Sequence, residues 1–105
     1  MEYIDIEKSL IPYRFDINLA GETFTFEVHY NGDYDFFSTD LSKNGETLVH
    51  GERIVYGMPL FGDVADARFP SVRILPYDLS GNSNDVTWAT LSESVFLYVD
   101  GESLG

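Results

Sequence analysis

Residues 14–30, RFDINLAGETFTFEVHY, decide the fold class. Phe15, Ile17 and Leu19 alternate with polar neighbours, and after Ala20-Gly21 the alternation resumes at Phe24, Phe26, Val28 and Tyr30. A period of two puts every second side chain on one face of a strand, so the stretch reads as two half-buried antiparallel strands. A two-residue turn at Ala20-Gly21 sets Ile17 opposite Phe24, Phe15 opposite Phe26, and Tyr13 opposite Val28. All three apolar pairs then share a face, so turn length and hydrophobic pattern agree on the register.

Two Asn-Gly dipeptides continue the meander, because type I′ hairpin turns need positive φ at both central residues. At Asn31-Gly32 a two-residue turn predicts Phe37 opposite Phe26, with Asp35 opposite Val28 at the rim. At Asn44-Gly45 it predicts Lys43 opposite Glu46, Leu41 opposite Leu48, and His50 across from Thr39. The four strands fall near 14–19, 22–30, 33–43 and 46–56. Adjacent Phe36 and Phe37 must point to opposite faces, which calls for a bulge or for cover on both faces. Further on, Asp63 to Arg68 can form one helical turn with Asp63 as N-cap. Ser71 to Leu75 reads as a strand stopped by Pro76, and Asp78 to Asp85 as a polar loop of turn formers. The unbroken apolar run Val95-Phe96-Leu97-Tyr98-Val99 predicts a central strand covered on both faces. The expectation is an all-β fold, one domain over residues 1–105, built as a compact antiparallel barrel or sandwich of six to eight strands. Its core should include Phe15, Ile17, Phe24, Phe26, Leu97 and Val99.

Composition narrows the function classes. Of 105 residues, 44% are hydrophobic, enough to bury a core, and 18 acidic residues oppose 6 basic ones for a formal charge of −12. Phosphate backbones are bound by Lys and Arg displacing counterions, so neither nucleic acid nor an anionic membrane is an expected partner. The absence of Cys excludes disulfides, iron–sulfur clusters and thiol catalysis. The first ten residues carry four charges and no apolar run, unlike a secretory signal.

Candidate sites are few. His29 and His50 are the only classical general bases, and no Gly-x-Ser-x-Gly elbow accompanies them, so no catalytic residue is expected. Oxygen-bearing residues alternate in Asn31-x-Asp33-x-Asp35 and in Asp78-x-Ser80-x-Asn82-x-Asn84, but neither has the glycine and glutamate of an EF-hand loop. No metal or cofactor is expected, and the second segment reads as a solvated turn. Tyr34, Tyr56, Tyr77 and Trp88 offer a sugar-stacking platform, which supports a carbohydrate-binding, lectin-like module as the alternative function. The apolar segment Met58-Pro59-Leu60-Phe61, bracketed by glycines, either folds back over the open end of the fold or docks on another chain.

The order of these features resembles the phage baseplate plug family of small tail-tip proteins. The resemblance runs from Ile11-Pro12 through the Phe15–Tyr30 hairpin, Tyr34-Asp-Phe-Phe with Asp40-Leu41, and Gly45-Glu-Thr-Leu-Val-His-Gly51. It continues through Ile54-Val-Tyr-Gly-Met-Pro-Leu-Phe61 and the Phe69-Pro70 strand entry to the Val95–Val99 strand. It implies a virion structural protein without enzymatic activity, made in the host cytoplasm and placed at the tail tip. There it would plug or brace the junction between tube and hub, in several copies around the tail axis. Met58, Pro59, Leu60 and Phe61 are then the expected partner-contact residues.

Overall fold

The computed structural model describes residues 3–62 and 67–100. The described residues form seven strands: β1 (Tyr3–Ile4), β2 (Tyr13–Leu19), β3 (Glu22–Asn31), β4 (Phe36–Lys43), β5 (Glu46–Arg53), β6 (Arg73–Tyr77) and β7 (Phe96–Asp100). A 3-10 turn at Lys8–Leu10 follows β1, and Ile11-Pro12 is a cis peptide. Two antiparallel sheets result, one ordered β2-β3-β4-β5 and the other β1-β7-β6. Of the two expected forms, the chain takes the sandwich-like one and does not close into a barrel.

The first hairpin has the predicted register: Tyr13 faces Val28, Phe15 faces Phe26 and Ile17 faces Phe24. Ala20 and Gly21 both take positive φ, 53° and 83°, which matches the twist that a two-residue hairpin needs. The Asn44-Gly45 turn does the same and sets Lys43 opposite Glu46.

Asn31-Gly32 corrects the sequence-based register. Asn31 stays in β3, and its side-chain oxygen accepts from the backbone N–H groups of Asp33 and Tyr34. It acts as an Asx turn-former and not as a positive-φ residue. The positive φ falls on Asp35, at 54°. The connection is therefore longer, Asn31 pairs with Phe36, and Phe26 faces Leu41 while Phe37 faces Tyr30. Thr39, and not Asp35, lies opposite Val28. The shift is an even number of residues, so Phe37 keeps the inward side it was given.

Register also slips twice between β4 and β5, around Leu41, so Leu41 faces Val49 and Thr39 faces Glu52. Leu48 and His50 are thereby moved from their expected partners. The bulge lies in this pair and not at Phe36-Phe37. Phe37 is buried, while Phe36 is covered from outside by the Arg53 guanidinium, 4.3 Å from its ring centroid. That contact is a cation–π pair.

Both sheets contribute to one apolar cluster. Leu19, Phe24, Phe26, Val28, Phe37 and Leu41 come from the larger sheet, and Ile4, Ile74, Leu97 and Val99 from the smaller. Phe15 and Ile17 pack at its margin, half-buried, which places the expected core pair on the periphery. β7 is central and covered, as its apolar run predicts. β6 extends through Pro76, against the expectation that proline ends it. The reason is geometric. The carbonyls of Ile74 and Pro76 accept from Leu60 and Gly57, so Pro76 lacks its N–H on the side away from β7. The expected helical turn at Asp63–Arg68 lies largely outside the described residues.

Candidate functional site

The segment after β5 is where the two sheets meet. Ile54 donates to the Phe37 carbonyl, then the chain crosses to lie beside β6 through the Gly57 and Leu60 hydrogen bonds. It divides the expected contact residues into two pairs. Leu60 and Phe61 are only 5% and 7% exposed and belong to the core. Adjacent residues of an extended chain point opposite ways, but Phe61 has φ of 60°, which breaks that alternation. Its ring meets Phe26 and Phe69 edge-on, at 6.2 Å and 5.9 Å, and its N–H donates to Glu52 Oε2. Of the two alternatives open to this segment, Leu60 and Phe61 take the one that folds back onto the core. Met58 points outward, 59% exposed, beside half-buried Pro59 and exposed Val55. With Glu52, Arg53 and Gly62 these residues line an open depression of about 660 Å³.

The two histidines both face carboxylates. His29 Nε2 lies 2.9 Å from Glu27 Oε2 and 3.6 Å from Asp40 Oδ2. His50 Nδ1 lies 3.2 Å from Asp40 Oδ1. Sequence reasoning did not bring these four residues together, because it paired β3 with β4 in another register.

The Asp78–Asp85 loop is exposed as expected, except at its head. Asp78 is 2% exposed, and its carboxylate accepts from the Ser80 hydroxyl and the N–H groups of Ser80, Asn82 and Ser83. The Ser80 hydroxyl, helped by these backbone donors and opposed by burial, holds the carboxyl below its ordinary pKa. Both of its oxygens are engaged by the loop itself and hold the turn.

The four aromatic residues considered for sugar stacking do not share one arrangement. Trp88 leans on Tyr30 and Phe37, with centroids 4.9 Å and 6.0 Å away, and Lys8 sits over its ring. Tyr56 stacks on Tyr77 at 5.3 Å, and its hydroxyl accepts from the Asp78 N–H. Tyr34 stands exposed next to Tyr56 along a separate groove.

Compared with known proteins, residues 1–102 match the family model described as cyanophage baseplate Pam3 plug gp18. The chain belongs to the phage baseplate plug family. No curated protein matches it. The match takes in the N-terminal residues that the resemblance, starting near Leu10, left aside. Those residues supply β1 and the buried Ile4 and Ile6. Membership makes the chain a structural component of the phage baseplate, and so a protein that contacts other baseplate components. No helix among the described residues is long and apolar enough to cross a membrane.

Proposed function

We propose that this baseplate protein plugs or braces the tube–hub junction of the tail, and that it docks through the outward side of the segment following β5. The family match carries the baseplate role. The observation that supports the docking surface is the division of the segment: Leu60 and Phe61 anchor it in the core, and the anchor holds Met58 outward beside Val55. Met58 is unbranched and polarizable, so it adapts to an apolar partner surface. Arg53 and Glu52 at the rim add charge selection around that apolar centre. Several copies around the tail axis, each using this surface on tube or hub, fit the plug role. Nucleic acid and membrane are not partners in this reading. The formal charge of −12 repels both, which suits a protein set beside a channel that passes DNA.

The test is the double variant Val55→Ser, Met58→Ser. Circular dichroism of the purified chain should be unchanged, since both side chains are exposed. Electron microscopy of lysates should show tails lacking the protein. Normal tails built with a folded variant would place the contact elsewhere on the molecule.

A further inference from the structure

On the outer face of the β2-β3-β4-β5 sheet, opposite the core side of β3, two strands bring three metal-binding side chains together, and β5 adds His50 beside them. Glu27 and His29 stand two residues apart on β3, and Asp40 is the cross-strand partner of Glu27 on β4. Ligand atoms of the three lie within 4.8 Å of one another. We propose that Glu27, His29 and Asp40, with His50 from β5 as fourth ligand, form a binding site for a divalent transition-metal ion of the zinc type.

Three observations carry this. First, each carboxylate has one oxygen held from behind and the other turned inward. Glu27 Oε1 accepts from Arg14, leaving Oε2 beside His29. Asp40 Oδ1 accepts from the Gly51 N–H at 2.8 Å, leaving Oδ2 toward the same histidine. The hold from Gly51 depends on the distorted β4–β5 pairing and on a φ of 75° at that glycine. Such outer contacts orient ligands before a metal arrives.

Second, His29 Nε2 is shielded from solvent and makes no hydrogen bond, although two carboxylate oxygens are near. A shielded polar nitrogen that makes no well-aligned hydrogen bond, with only carboxylate oxygens facing it, is uncommon. A cation at the meeting point would engage it and both oxygens together.

Third, the spacings suit a small ion. Zinc binds nitrogen and oxygen at ~2.0–2.2 Å, which puts tetrahedral ligand atoms ~3.3–3.6 Å apart. The distances of 2.9 Å and 3.6 Å from His29 Nε2 bracket that range. His50 is 83% exposed and its Nδ1 lies 3.2 Å from Asp40 Oδ1, the outer oxygen of that carboxylate, so completing the set requires its exposed side chain to rotate when the ion binds. Imidazole favours zinc, nickel and copper over magnesium and calcium, which take oxygen alone. The proposal departs from the expectation, read from the sequence, that the chain holds no metal.

The experiment is calorimetric titration of zinc chloride into the metal-stripped full chain, with calcium and magnesium chloride as controls. One zinc ion per chain should bind saturably, and the melting temperature should rise by several degrees because only the folded state assembles the ligands. His29→Gln, at a half-exposed outer-face position, should keep the wild-type circular dichroism spectrum and lose zinc affinity about tenfold or more. His50→Gln should lose less. Cobalt(II) gives a second readout, a visible absorption band of four-coordinate geometry that disappears in His29→Gln. No saturable zinc binding, unchanged affinity in a folded His29→Gln chain, or equally tight calcium binding would overturn the proposal. The last outcome would show an acidic cluster only.

Discussion

The two sheets are built in different ways from the same chain. The β2-β3-β4-β5 sheet is a run of neighbours joined by short turns, each strand pairing with the next in sequence. The β1-β7-β6 sheet unites residues 3–4 with residues 73–77 and 96–100, so nearly the whole chain separates β1 from its partner β7, and a long loop separates β6 from β7. Local pairing closes small loops and costs little entropy, whereas the second sheet forms only when distant segments are already held near each other. The larger sheet is thus a platform, and the smaller one exists by packing on it. The Gly57–Phe61 segment joins them, with backbone bonds to β6 and the Phe61 ring against Phe26.

That dependence can be broken most severely at Phe26, which is buried on the platform and touches both Phe15 and Phe61. Phe26→Ala should cost ~3–5 kcal/mol and unfold both sheets in a single transition. Chemical denaturation followed by fluorescence and by circular dichroism checks this; two separated transitions would mean the sheets are independent.

Ile4→Ala is the complementary cut, at a buried position on the two-residue strand β1. It should cost ~2–4 kcal/mol. Amide hydrogen exchange should then speed up in β7 and β6 before it does in β3. Equal acceleration in all strands would show that the platform has no stability of its own.

A smaller effect is expected from Asp78, at the end of β6. Its folded-state pKa is depressed, so its contribution to stability is present above the unfolded aspartate value, about 3.9, and is lost as pH falls through the lower folded value. The denaturation midpoint of the native chain should fall between pH 5 and pH 2. In Asp78→Asn that fall should be shallower, and an identical pH profile would remove Asp78 from the account.

The mildest test concerns the first hairpin of the platform. Ala20 holds a φ of 53°, which costs an L-residue about 1–2 kcal/mol. Ala20→Gly removes that strain but adds chain entropy to the unfolded state, for a net gain of about 0.5–1 kcal/mol. Differential scanning calorimetry should show a slightly raised melting temperature.

The contrast between sheets also separates what the sequence discloses from what it hides. Period-two alternation across a two-residue turn determines both face and register, so β2 and β3 were readable residue by residue. Asn31-Gly32 carries the same dipeptide signal as Asn44-Gly45, yet the Asn31 side chain caps its own turn and lengthens the connection. The two-residue reading puts Glu27 opposite Phe36 and Asp40 opposite Thr23. The Glu27–His29–Asp40 cluster therefore stayed hidden. β1 has no alternating run long enough to announce it, only Ile4 and Ile6 within an acidic stretch. The choice between folding back and docking stayed open for Leu60-Phe61 because the left-handed φ of Phe61, which breaks the alternation, leaves no mark on hydrophobic periodicity.

The placing of Gly57 and Leu60 along β6 has a consequence for crowding. An open sheet border is a template on which a second β protein can extend the ladder, and many proteins blunt such borders with proline, bulges or a covering segment. β6 has its outward carbonyls already taken and no donor at Pro76, while the exposed flank of β5 is kinked by two register slips. Next to another β-rich chain, the molecule therefore offers no open ladder along β6 and only an irregular one along β5. Along β6 the same crossing segment that holds the two sheets together also occupies the ladder a growing fibril would need.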